Sequence, residues 1–298
     1  MHDRNICAII VTYRYPYEKL HQLISSINGK VDHVCLIDNN DSKKINHGSD
    51  KIQKHNCTVI VNGVNLGLAA AINQGIRFAI ERHFRYVILF DQDSRPEPGM
   101  IEQLISARHL LVKRGEKVAA IGPVIVDQRQ IRPLPFLLFK KTHFKKIRSL
   151  NDETFIPVDF LISSGSLFDV EILITEGMMD ESLFVDNVDL EWCFRVKKAG
   201  YRLYGIRNAI LHHQIGEGVI KLPFTDKFVL LHQPERQYYI MRNRIFLYRR
   251  HYIPLSWKLQ DFLRLLFKLF FFSVGVRPRF VNARMMVKGI LDGVSGKI

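Results

Sequence analysis

Four short apolar runs, residues 6–12, 34–37, 58–61 and 86–90, each stop at polar residues, and stretches of helical period separate them. No other feature of the chain restricts its fold as strongly. A run that is apolar on both faces suits a strand buried inside a sheet. Between the runs lie helix faces: Leu20, Leu23, Ile24 and Ile27 after Pro16, then Leu68, Ala71, Ile72, Gly75, Ile76, Ala79 and Ile80. The alternation predicts an α/β fold, a Rossmann-like mainly parallel sheet flanked by helices and wound with right-handed crossovers. A helix with Ile101, Leu104 and Ile105 and a strand at 118–121 extend the rhythm. Residues 127–150 break it with Pro133, Pro135, Lys140, Lys141, Lys145, Lys146 and Arg148, and read as an irregular loop. Residues 155–168 read as strand, turn, strand around Ser163-Ser164-Gly165-Ser166, and a helix over 188–199 ends at Gly200. Past Pro234 the chain turns helical, basic and aromatic.

Sheets of this kind bind ligands beyond the carboxyl ends of their strands. Thr12, Asp38, Asn65 and Asp91 all fall there. Asp91 and Asp93 lie one residue apart where the fourth run ends, so both carboxylates can converge on one hard cation such as Mg²⁺ or Mn²⁺. Asp38 can accept from a base or a ribose hydroxyl, or serve a local turn through Asn40. Asn65-Leu-Gly67 opens a helix whose small residues allow a close backbone approach, although it is not a dinucleotide fingerprint. Asp186 and Asp189 stand at the start of the 188–199 helix, as caps or as working carboxylates. His212-His213 end the apolar stretch 209–211, and an imidazole there can complete a metal shell.

Charge narrows the partners. The chain holds 43 Lys and Arg against 29 Asp and Glu, a net charge of +14, which favours an anionic partner or surface. A basic protein that binds nucleic acid or membrane without catalysis would explain the charge but would leave Asp91, Asp93 and Asp189 without a use. No nucleic-acid-binding pattern accompanies it. Cys7, Cys35, Cys57 and Cys193 lie far apart in sequence with no C-x-x-C spacing, which excludes a zinc knuckle or redox pair and implies reduced thiols. The first apolar run is too short for a secretory leader. Residues 261–276 are interrupted by Arg264 and Lys268, too short and too charged to cross about 30 Å of hydrocarbon. Leu259, Phe262, Leu263, Leu266, Phe267 and Phe270 nevertheless recur at helical spacing among basic residues, which fits a helix lying on an anionic membrane, a face packed on the rest of the chain, or a contact in a homo-oligomer.

Thr12-Tyr13, Asp38-Asn39-Asn40, Asn65-x-Gly67, Asp91-Gln92-Asp93-Ser94 and Asp189-Leu190-Glu191-Trp192 resemble, in order, the motifs of glycosyltransferase family 2, and within it bacterial rhamnosyltransferases. The similarity runs from about residue 5 to 216 and continues more loosely through Tyr238-Tyr239 and Arg242-Asn243-Arg244. It implies a GT-A fold and inverting, metal-dependent transfer from a nucleoside diphosphate sugar, dTDP-L-rhamnose first and a UDP-hexose as the alternative. Thr12, Asp38, Asn65, Gly67 and Asp91 would then line the nucleotide-sugar site. Asp91, Asp93 and His213 (or His212) would hold Mg²⁺ or Mn²⁺, and Asp189 would be the catalytic base with Asp186 as rival. The implied acceptor is a glycan or a polyprenyl-linked glycan of bacterial surface polysaccharide synthesis, O-antigen among them, and the implied location is cytoplasmic, peripheral on the inner face of the membrane. The expected organisation is a catalytic domain over 1–225, its nucleotide-sugar half about 1–125 and its acceptor half about 126–225. A helical region over 226–298 follows.

Overall fold

The structure, a computed structural model, describes residues 5–14, 16–41, 56–127, 129, 133–140, 143–148, 153–214, 216, 218–221 and 228–297. Lys141 of the basic run lies outside them. The first half alternates as its periodicity predicts: β1 (Ile6–Thr12), α1 (Tyr17–Ile27), β2 (His33–Asp38), β3 (Cys57–Val61), α2 (Leu68–Glu81), β4 (Tyr86–Asp91), β5 (Arg95–Pro96), α3 (Met100–Lys113) and β6 (Val118–Val126). Then come β7 (Phe136–Phe139), β8 (Phe144–Ile147), β9 (Phe155–Val158), β10 (Leu167–Asp169), α4 (Val170–Thr175), α5 (Val188–Lys198) and β11 (Arg202–His212). The chain ends with a hairpin, β12 (Gly218–Lys221) and β13 (Phe228–Leu231), and three helices, α6 (Pro234–Arg249), α7 (Leu255–Val274) and α8 (Arg279–Ser295).

Among the described residues one sheet runs β3-β2-β1-β4-β10-β6-β11-β5, with β9 on the far side of β11. β1 to β4 are mutually parallel, and so are β6 and β11. The short antiparallel β10 fills the gap between β4 and β6. Two helical layers cover the sheet because successive strand side chains face opposite ways. Cys7 and Ile9 pack toward α2 and Trp192, while Ile6, Ala8 and Ile10 pack toward α1 and α3. Gly75 lets α2 sit close, since a Cβ there would lie 2.4 Å from Ile9 Cγ2.

Three departures have physical reasons. The region read as an irregular loop contains the β7–β8 hairpin, whose Phe139 and Phe144 pack near Phe194 and Trp257. β9 and β10 do not pair with each other, because each finds a partner strand far away in sequence. Cys7, Cys35 and Cys57 come from the neighbouring strands β1, β2 and β3, and all four cysteines are free.

The C-terminal helices pack on the sheet domain through only part of their surface. α8 reaches α6 through Gly289 and Gly293; a Cβ on Gly289 would stand 2.3 Å from the Tyr238 carbonyl oxygen. α7 buries Trp257, Leu265 and Phe272 but leaves Leu259, Phe262, Leu263, Leu266, Phe267 and Phe270 exposed, Leu263 at 68% and Phe270 at 69%. Among the described residues no helix is long and apolar enough to cross a membrane.

Candidate active site

Every parallel strand ends at the same edge of the sheet, so residues from distant parts of the chain meet there. Thr12 pairs in register with Asp38, and Val11 with Asp91. β11 runs parallel to β6 and delivers His212 and His213 to that edge, where the His213 amide donates to the Val126 carbonyl. Two adjacent histidines at a strand end point to different sides. His212 pairs with Glu97 at 2.7 Å. His213 turns instead to the acidic pair, with Nε2 3.2 Å from Asp91 Oδ2 and Nδ1 3.2 Å from Asp93 Oδ1. Burial opposes the charge on the imidazole, but hydrogen bonds and charge from Asp91 and Asp93 hold its pKa at about 10. Burial likewise opposes ionisation of Asp93, and His213 outweighs it, keeping the carboxyl below the usual range.

Among the described residues no three His, Cys, Asp or Glu side chains form a ready-made metal cage. The donor set of Asp91, Asp93 and His213 nevertheless fits a divalent cation chemically: two hard carboxylates and one imidazole, joined to one another. His213 Nδ1 lies 3.2 Å from Asp93 Oδ1 and is buried without a well-aligned hydrogen bond among the described residues, so this nitrogen is a candidate ligand atom. A basic group stands close by. Arg129 pairs with Asp127, donates to the Gly216 carbonyl at 3.1 Å and feels the charge of Asp93.

The turn at Ser163–Ser166 ties the acidic edge to α5. Ser164 Oγ accepts from the Asp91 amide at 3.1 Å and shares a 2.7 Å hydrogen bond with Ser94 Oγ. On its other side the Ser163 amide donates to Asp189, as does the Leu190 amide at 2.8 Å. Asp189 is half-buried. Burial raises its pKa to about 7 against those two hydrogen bonds, and the charges of Asp186 and Asp91 add to the rise. A carboxylate poised near neutrality is suited to general base work. The neighbouring motif residues do something else: Glu191 holds Arg195 and Tyr252, and Trp192 fills the core, donating to the Gly177 carbonyl. Asp186 is bidentate to Arg236, both contacts 2.9 Å.

Toward β2, the predicted residues form a smaller network. Asp38 is buried and Oδ1 accepts from the amide and side chain of Asn40, the local turn anticipated from its sequence context. Thr12 is buried with its hydroxyl 3.4 Å from the Ile37 carbonyl. Asn65 Oδ1 accepts from the Gly67 amide. Gly67 has φ of +85°, and a Cβ on it would strike the Phe184 ring at 2.5 Å. The organiser of this corner is Asn39, which donates to Asn65 Oδ1 at 2.9 Å and accepts from Asn62 Nδ2 and the Leu66 amide. Its place one residue past the β2 carboxyl end is the signal for it in the sequence.

Comparison with known proteins agrees with this architecture. Residues 7–175 match the model of glycosyl transferase family 2. The chain is 30% identical to the dTDP-rhamnosyl transferase RfbF of Shigella flexneri over 295 residues, 99% of this chain and 97% of that one. Among solved structures, S. aureus TarS 1–349 in complex with UDP-GlcNAc superposes with a TM-score of 0.59 at 16% identity, covering 97% of this chain and 80% of that one. GalNAc-T7 with UDP, GalNAc and Mn²⁺ also gives 0.59, at 12% identity over 98% of this chain; the match spans just over half, 56%, of the GalNAc-T7 chain. At such identities the two structures establish the shared GT-A type of fold and nothing more. Matched to the family over more than half its length and to a full-length relative from end to end, the chain belongs to glycosyl transferase family 2 and is a glycosyltransferase.

Proposed function

We propose that the protein transfers L-rhamnose from dTDP-L-rhamnose, with inversion, to a glycan or lipid-linked glycan acceptor of bacterial surface polysaccharide synthesis. The observation that carries the chemistry is Asp189, its pKa raised to about 7 mainly by burial and near enough to Asp91 of the Asp91–Asp93–His213 group to feel its charge. The identity of the donor rests on the end-to-end similarity to RfbF.

In this reading residues 1–125 handle the donor and 126–225 the acceptor. Thr12, Asp38, Asn65 and Gly67 line the base and ribose. Asp91, Asp93 and His213 would hold a divalent cation, Mg²⁺ or Mn²⁺, which when bound would supply Lewis-acid neutralisation of charge on the departing diphosphate. Arg129 adds a fixed positive charge near the same oxygens. Asp189 accepts the proton of the acceptor hydroxyl as that oxygen attacks the anomeric carbon from the face opposite the diphosphate. One base and one displacement invert the configuration, with no covalent sugar–enzyme intermediate. The exposed apolar face of α7, flanked by exposed Arg264, Arg277, Arg279, Arg284 and Lys288, would rest on the inner face of an anionic membrane, where a lipid-linked acceptor lies.

A donor screen tests the reading. Purified protein is mixed with dTDP-L-rhamnose, UDP-glucose, UDP-galactose and UDP-GlcNAc in the presence of Mn²⁺, and release of nucleoside diphosphate is followed. dTDP release from dTDP-L-rhamnose is the expected result; turnover of a UDP-hexose alone would replace the donor assignment.

A further inference from the structure

Asp189 follows a backbone that few residues tolerate. Phe184, Asp186 and Asn187, just ahead of α5, have φ of +61°, +65° and +62°. For a residue as bulky as phenylalanine a positive φ is a true outlier and persists only where surrounding structure imposes it. The imposing groups come from α6, more than fifty residues later. Asn243 is fully buried, and its Nδ2 donates to the carbonyls of Leu183, Val185 and Asp186 at 2.7, 2.7 and 2.9 Å. Arg242, 3% exposed, donates through Nη2 to the carbonyls of Ser182 and Leu183 and through Nε to Asn243 Oδ1, which fixes the orientation of that amide. Tyr239 stacks on the Phe184 ring at 4.8 Å, and Arg236 grips Asp186. The held loop also touches the opposite wall, where the Phe184 carbonyl accepts from the Ala69 amide at the start of α2.

We propose that Asn243, oriented by Arg242, is a positioning residue that sets the location of Asp189 by clamping the left-handed 183–187 turn; this rests on Asp189 being the base. The chemical requirement is specific. Three carbonyls converge on one amide NH₂, so the group that meets them must donate. An aspartate of the same shape would face them with a carboxylate, and a serine could satisfy one of them. With the clamp weakened, the turn relaxes toward ordinary backbone angles and Asp189, two residues past Asn187, leaves its desolvated seat. Neither Arg242 nor Asn243 need touch substrate for this.

The test measures steady-state transfer by Asn243→Asp and Asn243→Ser beside Asp189→Asn, with dTDP affinity by calorimetry to verify the donor side. Asn243→Asp should lower kcat about 10- to 100-fold, the loss expected of a misplaced catalytic group, and Asn243→Ser by less. Donor KM and dTDP affinity should change by less than kcat does. The ascending limb of the pH–rate profile should move below its wild-type position as Asp189 becomes hydrated, a change that simple loss of folded protein cannot produce. Folded Asn243→Asp with wild-type kcat and pH profile, alongside a crippled Asp189→Asn, would overturn the clamp and leave the base assignment standing. An active Asp189→Asn would remove the base assignment and the clamp with it. If both Asn243 variants fail to fold, the residue serves folding and the positioning role is wrong.

Discussion

The carboxyl edge of the sheet and the three C-terminal helices contribute to the candidate site by different physics. At the sheet edge, Asp38, Asp91 and His213 are delivered by strands whose register is set by burial on both faces. Their geometry is a by-product of core packing. The helices contribute side chains that act on backbone: Arg242 and Asn243 hold carbonyls about sixty residues away in sequence, and α8 braces α6 through glycines. One region presents polar side chains at strand ends, and the other holds the backbone that leads to Asp189. Substitutions in the first should therefore remove chemistry from an intact fold, whereas those in the second should alter stability, aim or location.

The largest effect tests the sheet edge. Removing divalent cations with excess EDTA should abolish transfer, and Mg²⁺ or Mn²⁺ should restore it. Asp91→Ala and Asp93→Ala should each lose several kcal/mol of transition-state stabilisation, upward of about a thousandfold in kcat, with unchanged circular dichroism. Full turnover in metal-free protein would leave the acidic edge without its assigned role.

Next in size is Asp189→Asn, which keeps shape but cannot take a proton; kcat should fall about 10²- to 10⁴-fold. Asp186→Asn, at a carboxylate already committed to Arg236, should lose less. Because burial raises the folded pKa of Asp189 to about 7, kcat/KM should rise with pH through that region in wild type and lose that limb in Asp189→Asn. Stability should move the opposite way. The folded protein holds this proton more tightly than the unfolded chain, so stability declines as pH climbs from the ordinary carboxylate range to about 7. The Tm advantage of Asp189→Asn over wild type should therefore be larger at pH 8 than at pH 5.

A paired comparison of glycines comes third. Gly75→Ala crowds the Ile9 side chain and Gly289→Ala crowds the Tyr238 carbonyl. Overpacking costs about 1–3 kcal/mol. A side chain can yield where backbone cannot, so urea titration should find Gly289→Ala the more damaging. Equal stability of Gly289→Ala and wild type would show that α8 does not brace α6.

The smallest effect concerns location. Binding to anionic liposomes should weaken as salt rises, since each surface Lys or Arg contributes about 1 kcal/mol and the Debye length is about 8 Å at physiological ionic strength. Leu263→Glu with Phe270→Glu should reduce flotation without changing turnover of a water-soluble acceptor. Indifference of the intact protein to such vesicles at low salt would assign the α7 face to another copy of the chain.

Much of this molecule could be read directly from residue order. Continuous apolar runs and period-3.6 apolar faces are local consequences of burial, so β1, α1, β2, β3, α2 and β4 lie where the pattern put them. Asp91, Asp93 and Asp189 are legible as candidates because carboxylates at strand and helix ends need a reason to be there. Tertiary structure alone showed that His213 meets Asp91 and Asp93 while His212 pairs with Glu97, because adjacent residues leave a strand toward different sides. It alone showed that Asp186 is tied to Arg236, that Asn39 organises the corner at Asn65, and that Asn243 clamps the turn before Asp189. A hydrogen bond from a side chain to a remote carbonyl has no period and leaves no mark on its neighbours in the chain. Burial repeats along the sequence and can be read there, whereas such pairwise polar contacts exist only once the chain has folded.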